Sequence, residues 1–535
     1  MLIIPAALSG NMTPSKWSEE IKDEYYHVFL DKTWYHCNYN DKLYIYSGWA
    51  LSWEGEQLSF FDVAPDIFED KLRTADGYYC LIIIDKKELR LIKSLYRYCD
   101  IYYTRMTEGW IAGTHLEDIF GICGKKSISS RFVNHFLADS FNSAFISPFE
   151  NIFKAYSGCL THIYHQNINT EPFVSLTPLK KGTLEVLATI MDKLPSEAPL
   201  ALYLSGGLDS SLVFFTLLRS GREFDVLHCL PFSFETDTER VDALRLCRTY
   251  GVKMTELLPA IENKRHHDTK VNHPSDCQVI QTVWRDSIDG TLIDLSDWYC
   301  LDGHGGDSVF IQSPSVRIVR DLAGKGHLRY ACKMAHSIGQ LKSRSVFSVI
   351  MSALKPVKST ERQEIQHPLL RTFPPGTAWY DYIHEIVRVS ESMVCRSGTL
   401  NFSPLLSLNV IRSRLSVNYE DNISSDHDRA HIRRDALEQF RDEIFIKKTK
   451  RSSSQLICNI LRQYESELIL FVSRQREKLH PDFESVIKKI KYNTHVELDS
   501  SLPVILSVIK LMKFMEAAGL NIADAEVNDE YPENV

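Results

Sequence analysis

The chain has 535 residues, 44% of them hydrophobic and 24% charged, with a formal net charge of −8. That length allows two or three separate cores, and the acidic balance excludes a global field favouring nucleic acid or anionic lipid. No apolar run reaches the roughly 20 residues of a membrane-spanning helix, and the apolar start lacks the basic flank of a secretory signal. Twelve cysteines are scattered without a CxxC pair, the usage expected of buried thiols in a cytoplasmic protein.

Residues 1 to about 180 read as short strands rich in β-branched and aromatic residues. KLYIYSGWAL (42–51), YYCLIIIDKK (78–87) and LRLIKSLYRY (89–98) are the clearest, with a hairpin through Lys86-Lys87-Glu88. From residue 182 the pattern changes. GTLEVLATIMDKL (182–194) spaces its apolar residues as an amphipathic helix does. ALYL (201–204) is a compact strand, followed by a glycine loop and a helix that Gly221 ends. DVLHCLPF (225–232) is a second strand. Thr236-x-x-Glu239 is a capping box for the next helix, which Gly251 ends, and VKMTELL follows as a third strand. Alternation of this kind indicates a parallel sheet with right-handed crossovers. WYCL (298–301) is a fourth strand, leading into Asp302-Gly303-His304-Gly305-Gly306-Asp307. Beyond residue 310 the pattern is mostly helical. PVILSVIKLMKFMEAAGL reads as a buried core helix, with a partner-binding helix as the alternative, and an acidic tail follows.

The loop Ser205-Gly206-Gly207-Leu208-Asp209-Ser210 lies between strand and helix. Paired glycines let the backbone turn sharply and approach an anion. Their N–H groups and the N-terminus of the next helix form a cradle for phosphate. Ser205 and Ser210 add hydroxyl donors, whereas a carboxylate at Asp209 suits Mg²⁺ held against phosphate oxygens. The Walker pattern GxxxxGK[ST] is absent.

In this setting SGGLDSS resembles the loop of the N-type ATP pyrophosphatases, and more narrowly that of the asparagine-synthetase superfamily. Residues 77–120 resemble that family's glutaminase-like domain, LDGHGGDSVF (301–310) its second glycine loop, and NFSPLLSLNVI (401–411) its VPFLD segment. The resemblance implies a degenerate, β-rich glutaminase-like sandwich over 1–180. It implies an α/β ATP-pyrophosphatase synthetase domain with a helical C-terminal region over 181–535. Working glutaminase domains of this family expose an N-terminal cysteine. Here Met1 is followed by Leu2, and the nearest cysteine is Cys37, so no ammonia is expected from glutamine and another amine must serve. GHGGD and KKTKRSSSQLI (447–457) resemble the lasso-peptide cyclases of microcin biosynthesis. Those enzymes adenylate an Asp or Glu side chain of a ribosomal precursor peptide and close a macrolactam with its freed N-terminal amine.

The resemblance implies ATP and Mg²⁺, a precursor peptide as substrate and a leader-removing peptidase as partner. It implies Asp209 and Asp307 as metal-holding carboxylates. Leu204, Ser205, Gly206, Gly207, Leu208, Ser210 and Gly303 would line the nucleotide, with adenine near Leu204 and residues 229–234. Lys448 falls at the family's catalytic lysine, where a cation would stabilise charge on the α-phosphate. The residues alone read the 447–451 run as a solvated face in preference, with a nucleic-acid patch as the rarer alternative. His304 replaces a family glutamate. It suits deprotonation of an amine nucleophile, or it is a hydrogen-bonded loop residue. His266 and His267 beside Asp268 read as loop residues, because no third ligand accompanies them. Rival functions are a small-molecule amide synthetase, a non-catalytic scaffold and, more remotely, a tRNA-modifying pyrophosphatase.

Overall fold

The protein is seen in a computed structural model that describes residues 1–11, 17–124, 127–138, 143–195, 198–230, 238–257, 272–277, 298–355, 367–393, 400–447 and 502–518. The early strands are β1 (Leu2–Pro5), β2 (Glu19–Lys22), β3 (Tyr26–Leu30), β4 (Tyr35–Tyr39), β5 (Lys42–Leu51), β6 (Gln57–Leu58) and β7 (Asp76–Asp85). They continue as β8 (Glu88–Lys93), β9 (Tyr102–Arg105), β10 (Trp110–Gly113), β11 (Phe153–Lys154), β12 (Cys159–Tyr164) and β13 (Asn167–Pro172). They form two antiparallel sheets, ordered β11-β9-β10-β1-β3-β2 and β13-β12-β8-β7-β5-β4, with β6 on β5. Side chains of a strand alternate between faces, and that alternation builds the layers. Ile3, Val28 and Tyr103 of the first sheet meet Ile45, Ile82 and Leu91 of the second in one apolar layer. Their alternates Leu2, Ile4 and Ile111 face helices α2 (Leu116–Cys123) and α3 (Ser130–Ala138). Tyr46, Leu81 and Ile83 face α1 (Pro65–Leu72) and the rest of the chain. β7 is buried on both faces, which is why it reads as the unbroken apolar run YYCLIII.

β7 and β8 form the expected hairpin, but its loop is Lys86-Lys87 alone, with Asp85 paired to Glu88 and Lys86 at φ 53°. LRLIKSLYRY reads as strand to residue 98, yet β8 stops at Lys93. Ser94 Oγ accepts the Tyr79 N–H at 3.0 Å and donates to the Tyr96 carbonyl at 2.6 Å, turning the chain away.

The second half contains α4 (Thr183–Asp192), β14 (Leu200–Tyr203), α5 (Leu208–Ser220), β15 (Asp225–Cys229), α6 (Thr238–Tyr250), β16 (Met254–Leu257) and β17 (Tyr299–Leu301). Helices α7 (Gly306–Val309), α8 (Arg317–Gly324), α9 (Leu328–Leu341), α10 (Val346–Leu354) and α11 (Ala378–Glu391) follow. Then come β18 (Leu400–Phe402), α12 (Leu408–Leu415), α13 (Ala430–Phe440) and α14 (Leu502–Ala518). The five strands run parallel in the order β16-β15-β14-β17-β18, so the chain reverses its direction of winding between β14 and β17. Crevices at such a switch, outside the carboxyl ends of the strands, are where open α/β sheets bind ligands. β18 was not legible as a strand, since only three residues pair and the rest of that segment turns at Pro404. Thr236 lies outside the described residues, and α6 opens at Thr238. Gly221 and Gly251 end their helices in the left-handed conformation, as expected.

α14 is a core helix. Val508, Ile509, Leu511, Phe514 and Met515 are buried, and they cover the outer face of the first antiparallel sheet. Among the described residues no helix is long and apolar enough to cross a membrane.

A buried ionic cluster joins the two halves. Arg97 donates to Asp100 at 3.0 Å and to the Met393 carbonyl at 2.5 Å, and lies 2.8 Å from Asp276. Lys154 is 3.1 Å from Asp100 and 3.3 Å from Glu391, whose other oxygen accepts the Ser157 N–H at 2.6 Å. Burial opposes ionisation of Asp100 and Glu391. The cations prevail (Arg97, Lys154 and Lys93 for Asp100, Lys154 and Lys93 for Glu391) and hold both well below the usual carboxylate range. A second tie behaves oppositely. Asp76 at the start of β7 accepts the Asn409 backbone N–H at 2.7 Å and its side-chain amide at 2.8 Å. Here burial outweighs those bonds and the pull of Arg412, and raises the carboxyl to about 6.

A carboxyl raised in the folded state binds its proton on folding, so Asp76 contributes most below its unfolded value near 4 and loses that contribution as pH rises through about 6. Thermal unfolding between those pH values should show Asp76→Asn with a weaker decline of stability on raising pH than the wild type. Identical slopes would remove Asp76 as the titrating group.

Candidate active site

The first glycine loop leaves β14 at Leu204, which is buried. Its carbonyl accepts a 2.7 Å hydrogen bond from His228 Nδ1. Gly206 adopts φ 85°, and a Cβ there would lie 2.2 Å from the Glu239 carbonyl oxygen, so glycine is required. Ser210 Oγ accepts the Ser205 N–H at 3.2 Å and lies 3.0 Å from Ser205 Oγ, which accepts the Gly207 N–H at 3.2 Å. The serines expected to meet phosphate thus also brace the loop. α5 begins at Leu208 with no side-chain cap, leaving its first-turn N–H groups for an anion. The Leu208 side chain itself belongs to the core, so only its backbone is available to a ligand.

The second glycine loop packs directly on the first. A Cβ on Gly303 would lie 2.4 Å from the Ser210 nitrogen, and one on Gly306 would lie 2.5 Å from the Asp209 carboxyl. This contact brings Asp307, in the first turn of α7, to the same place as Asp209 in the first turn of α5. Between them lies Arg429, which sequence reasoning missed. Its Nη1 donates to Asp209 Oδ2 and to Asp307 Oδ1, both at 2.7 Å, and its Nη2 lies 3.0 Å from Asp428. Arg429 is 3% exposed and sits at φ 54° just before α13. Burial alone would lower its guanidinium, but Asp209, Asp428 and Asp307 outweigh it and hold the group above its ordinary value. With its NH₂ turned to Asp307, Gln312 adds donors at 2.6 and 3.0 Å.

The surroundings hold this centre from three sides. Asp302 accepts the His304 N–H at 2.9 Å and the Ser403 hydroxyl at 2.5 Å, so the 401–411 segment grips the second loop. Ser403 N–H in turn donates to Tyr96 Oη at 3.2 Å, and Tyr96 donates to the Asn401 carbonyl. Arg433 donates to Asp428 at 2.8 Å and to the carbonyls of Phe445 and Lys447 at 3.0 and 3.1 Å. Lys447 pairs with Asp242, and Arg245 clamps Asp442 at 2.7 and 2.9 Å. Through Arg433, Asp428 and Arg429, the chain at residue 447 is tied to the carboxylate centre. Lys448 itself, the rest of the KKTKRSSSQLI run, residues 231–234, and His266, His267 and Asp268 lie outside the described residues. His304 is exposed on the loop.

The missed residues lie in DHDRAHIRRD (426–435). The only signal was an acid–base repeat ahead of a helix, which in sequence cannot be told from a solvated face.

Hard oxygen ligands suit Mg²⁺, which commonly takes one or two carboxylates and completes its shell with phosphate and water. Asp209 and Asp307 fit that description, since one cationic nitrogen already bridges them. Among the described residues no group of three or more His, Cys, Asp or Glu side chains forms a metal cage.

Residues 184–273 match the family described as asparagine synthase. Over 493 residues the chain is 25% identical to "Microcin J25-processing protein McjC" of Escherichia coli, covering 89% of this chain and 93% of that one. The chain resembles the microcin-processing synthetases of the asparagine-synthetase superfamily. The two matches support ATP-dependent amide-bond synthesis. Among solved structures, a glutamine PRPP amidotransferase from B. subtilis complexed with ADP and GMP is 9% identical, covers 48% of this chain and 71% of its own, and has a TM-score of 0.18. An allosteric regulatory enzyme of purine biosynthesis is 8% identical, with coverage of 47% and 68% and a TM-score of 0.17.

The contact between the loops is directly testable. Gly303→Ala should cost about 1–3 kcal/mol by overpacking, whereas Gly121→Ala, with nothing within 4 Å, should leave the melting temperature within a degree or so. Equal melting temperatures for the two variants would contradict the stacking of the loops.

Proposed function

We propose that this chain is an ATP-dependent macrolactam synthetase acting on a ribosomally made precursor peptide. The observation that carries the proposal is the convergence of Asp209 and Asp307 on one cationic position where the glycine loops meet, at the winding switch of the parallel sheet. Residues 1–180 serve as a degenerate glutaminase-like domain and 181–535 as the synthetase.

In the first step a side-chain carboxylate oxygen of the peptide attacks the α-phosphorus of ATP. The bond from that phosphorus to the α,β-bridging oxygen breaks, giving an acyl-adenylate and pyrophosphate. The loop N–H groups of 205–208, the uncapped N-terminus of α5 and the hydroxyls of Ser205 and Ser210 orient the polyphosphate. Asp209 and Asp307 would hold Mg²⁺, which when bound would neutralise charge on the pyrophosphate leaving group. Arg429 turns its guanidinium from the carboxylates toward phosphate oxygen, for which its planar fork is suited. In the second step the peptide's freed N-terminal amine attacks the acyl carbon, AMP leaves, and the amine proton passes to a base. His304 fits that base, since its imidazole stands exposed on the loop that carries Asp307. Lys448 supplies positive charge to the α-phosphate in both steps. Because the amine must first be liberated, a leader-removing peptidase is the expected partner, and the reaction belongs in the cytoplasm, where ATP is supplied.

The test is mass spectrometry of the precursor peptide encoded beside this chain, incubated with Mg-ATP, the peptidase and this protein, with nucleotides followed in parallel. A leader-free product lighter by one water, matched by AMP and lost in Asp209→Ala, is the expected result. AMP without dehydrated peptide would move the substrate to a small-molecule acid. Neither product, with the peptidase active, would make the protein a scaffold.

Arg429 gives a sharper expectation. Arg429→Met should lower AMP formation by at least ~100-fold, whereas Arg429→Lys, which keeps the charge but not the fork, should retain part of the rate. Initial rates of AMP release measure both, and an unimpaired Arg429→Met would remove the residue from the reaction.

A further inference from the structure

Helices α8, α9 and α10 pack together as a lobe on the side of the synthetase half. Residues 317–355 carry eight lysines and arginines against one acid, Asp321, in a chain whose net charge is −8. Four of these cations are engaged or sheltered. Arg317 faces Asp381 at 3.4 Å, Arg320 bonds the Gly376 carbonyl, Lys342 is half-buried, and Arg344 lies along α10 on Ser348 and Ser352 at 2.9 and 2.8 Å. Lys325, Arg329, Lys333 and Lys355 are exposed, and no ion pair engages them among the described residues. Among the described residues, Asp381 faces Arg317, and Glu420 and Asp421 act on Tyr330.

α10 is the anomaly within this lobe. Its sequence VFSVIMSAL has two serines as its only polar residues, and Val349 and Ala353 face the core. The opposite face carries Phe347, Met351 and Leu354 at i, i+4 and i+7, which are 72%, 48% and 60% exposed. A helix that is apolar on both faces belongs in a covered position, and a contiguous exposed apolar stripe marks an interaction surface. On the adjoining α9, the exposed residues Arg329, Lys333 and His336 repeat the same i, i+4, i+7 spacing. Two packed helices thus present an apolar row and a basic row of equal period, each about 10 Å long.

We propose that the α9–α10 surface docks an acidic, amphipathic helical segment of a partner polypeptide. Apolar anchors at i, i+3/4 and i+7 would meet Phe347, Met351 and Leu354, the mode in which amphipathic helices lie on hydrophobic grooves. Carboxylates on the flank of that helix would meet the 329/333/336 row and Arg344. The Arg344 guanidinium is already held along the helix by two serine hydroxyls, so its fork is preset for a carboxylate at a fixed position. That fixed spacing favours a folded helix over the fluid headgroups of a membrane. The surface is distinct from the carboxylate centre, and nothing in the proposal depends on the reaction assigned to that centre.

The test uses the full chain and a fluorescein-labelled peptide of about five helical turns with leucines at i, i+3/4 and i+7 and glutamates elsewhere. Fluorescence anisotropy should show saturable binding that weakens on raising salt. Phe347→Ser with Leu354→Ser, and separately Arg329→Glu with Lys333→Glu, should each weaken it at least ~10-fold. A peptide of the same composition in scrambled order should bind at least ~10-fold more weakly. All four positions are exposed, so an unchanged melting temperature is the control that each variant folds. Absence of binding, equal binding of the scrambled peptide, or indifference to both double variants would overturn the proposal. So would cosedimentation with phosphatidylglycerol vesicles without peptide binding, which makes the surface a membrane contact. Reversible self-association abolished by the Phe347→Ser pair would overturn it as well, making this a contact between copies.

Discussion

One guanidinium between two carboxylates sets the geometry on which the rest of the site depends. Asp209 and Asp307 belong to different loops, on helices that follow different strands, and like charges brought this close repel. Two devices hold them together. Glycines at 303 and 306 let one loop lie on the backbone of the other, where any Cβ would collide. Arg429 then supplies a positive charge at 2.7 Å from both acids. Arg429 is the buried member at 3% exposure, so removing Asp209 leaves a buried cation short of a partner, which is the costly way to break such a pair. The arrangement is also poised, because a cation that neutralises two acids is what a metal ion or a polyphosphate must contend with on arrival.

The antiparallel half takes part in this centre without supplying any of its acids. Tyr96, in the segment after β8, hydrogen-bonds both the Asn401 carbonyl and the Ser403 N–H, and Ser403 grips Asp302 in the second loop. Around that tie, Arg97, Asp100 and Lys154 from the first half meet Asp276 and Glu391 from the second with almost no solvent exposure. In this half Cys37 is half-buried, and that burial pushes its thiol upward. Tyr96 and its neighbours form a wall against which β18 and the second loop are set.

The first glycine loop was legible because its information is local. Two glycines, a strand before and an amphipathic helix after need no distant contact to be read, and the parallel strands beyond it repeat the same grammar. GHGGD was readable for the same reason. What escaped was non-local. Arg429 reaches across 220 residues to Asp209 and 122 to Asp307, from a left-handed position that no residue type announces. Ser403 looks like any loop serine until Asp302 is beside it. Nothing in the sequence marks Arg97 or Lys154, yet both side chains are fully buried. β8 was drawn too long because a single serine hydroxyl, Ser94, replaces the ladder that hydrophobic pattern alone would continue.

The place of α14 bears on how the protein comes into being. Its buried residues close the outer face of a sheet whose last strand, β11, ends at Lys154, so about 350 residues separate that sheet from its cover. At ribosomal rates of roughly 5–20 residues per second, the layer that α2 and α3 build on Leu2, Ile4 and Ile111 waits on the order of tens of seconds for this last member. Through that interval the flank of α3 that α14 will cover stays exposed on the nascent chain. Synthesis and folding are thus out of step by design of the topology, and a chaperone has its longest opportunity at the sheet that begins the chain.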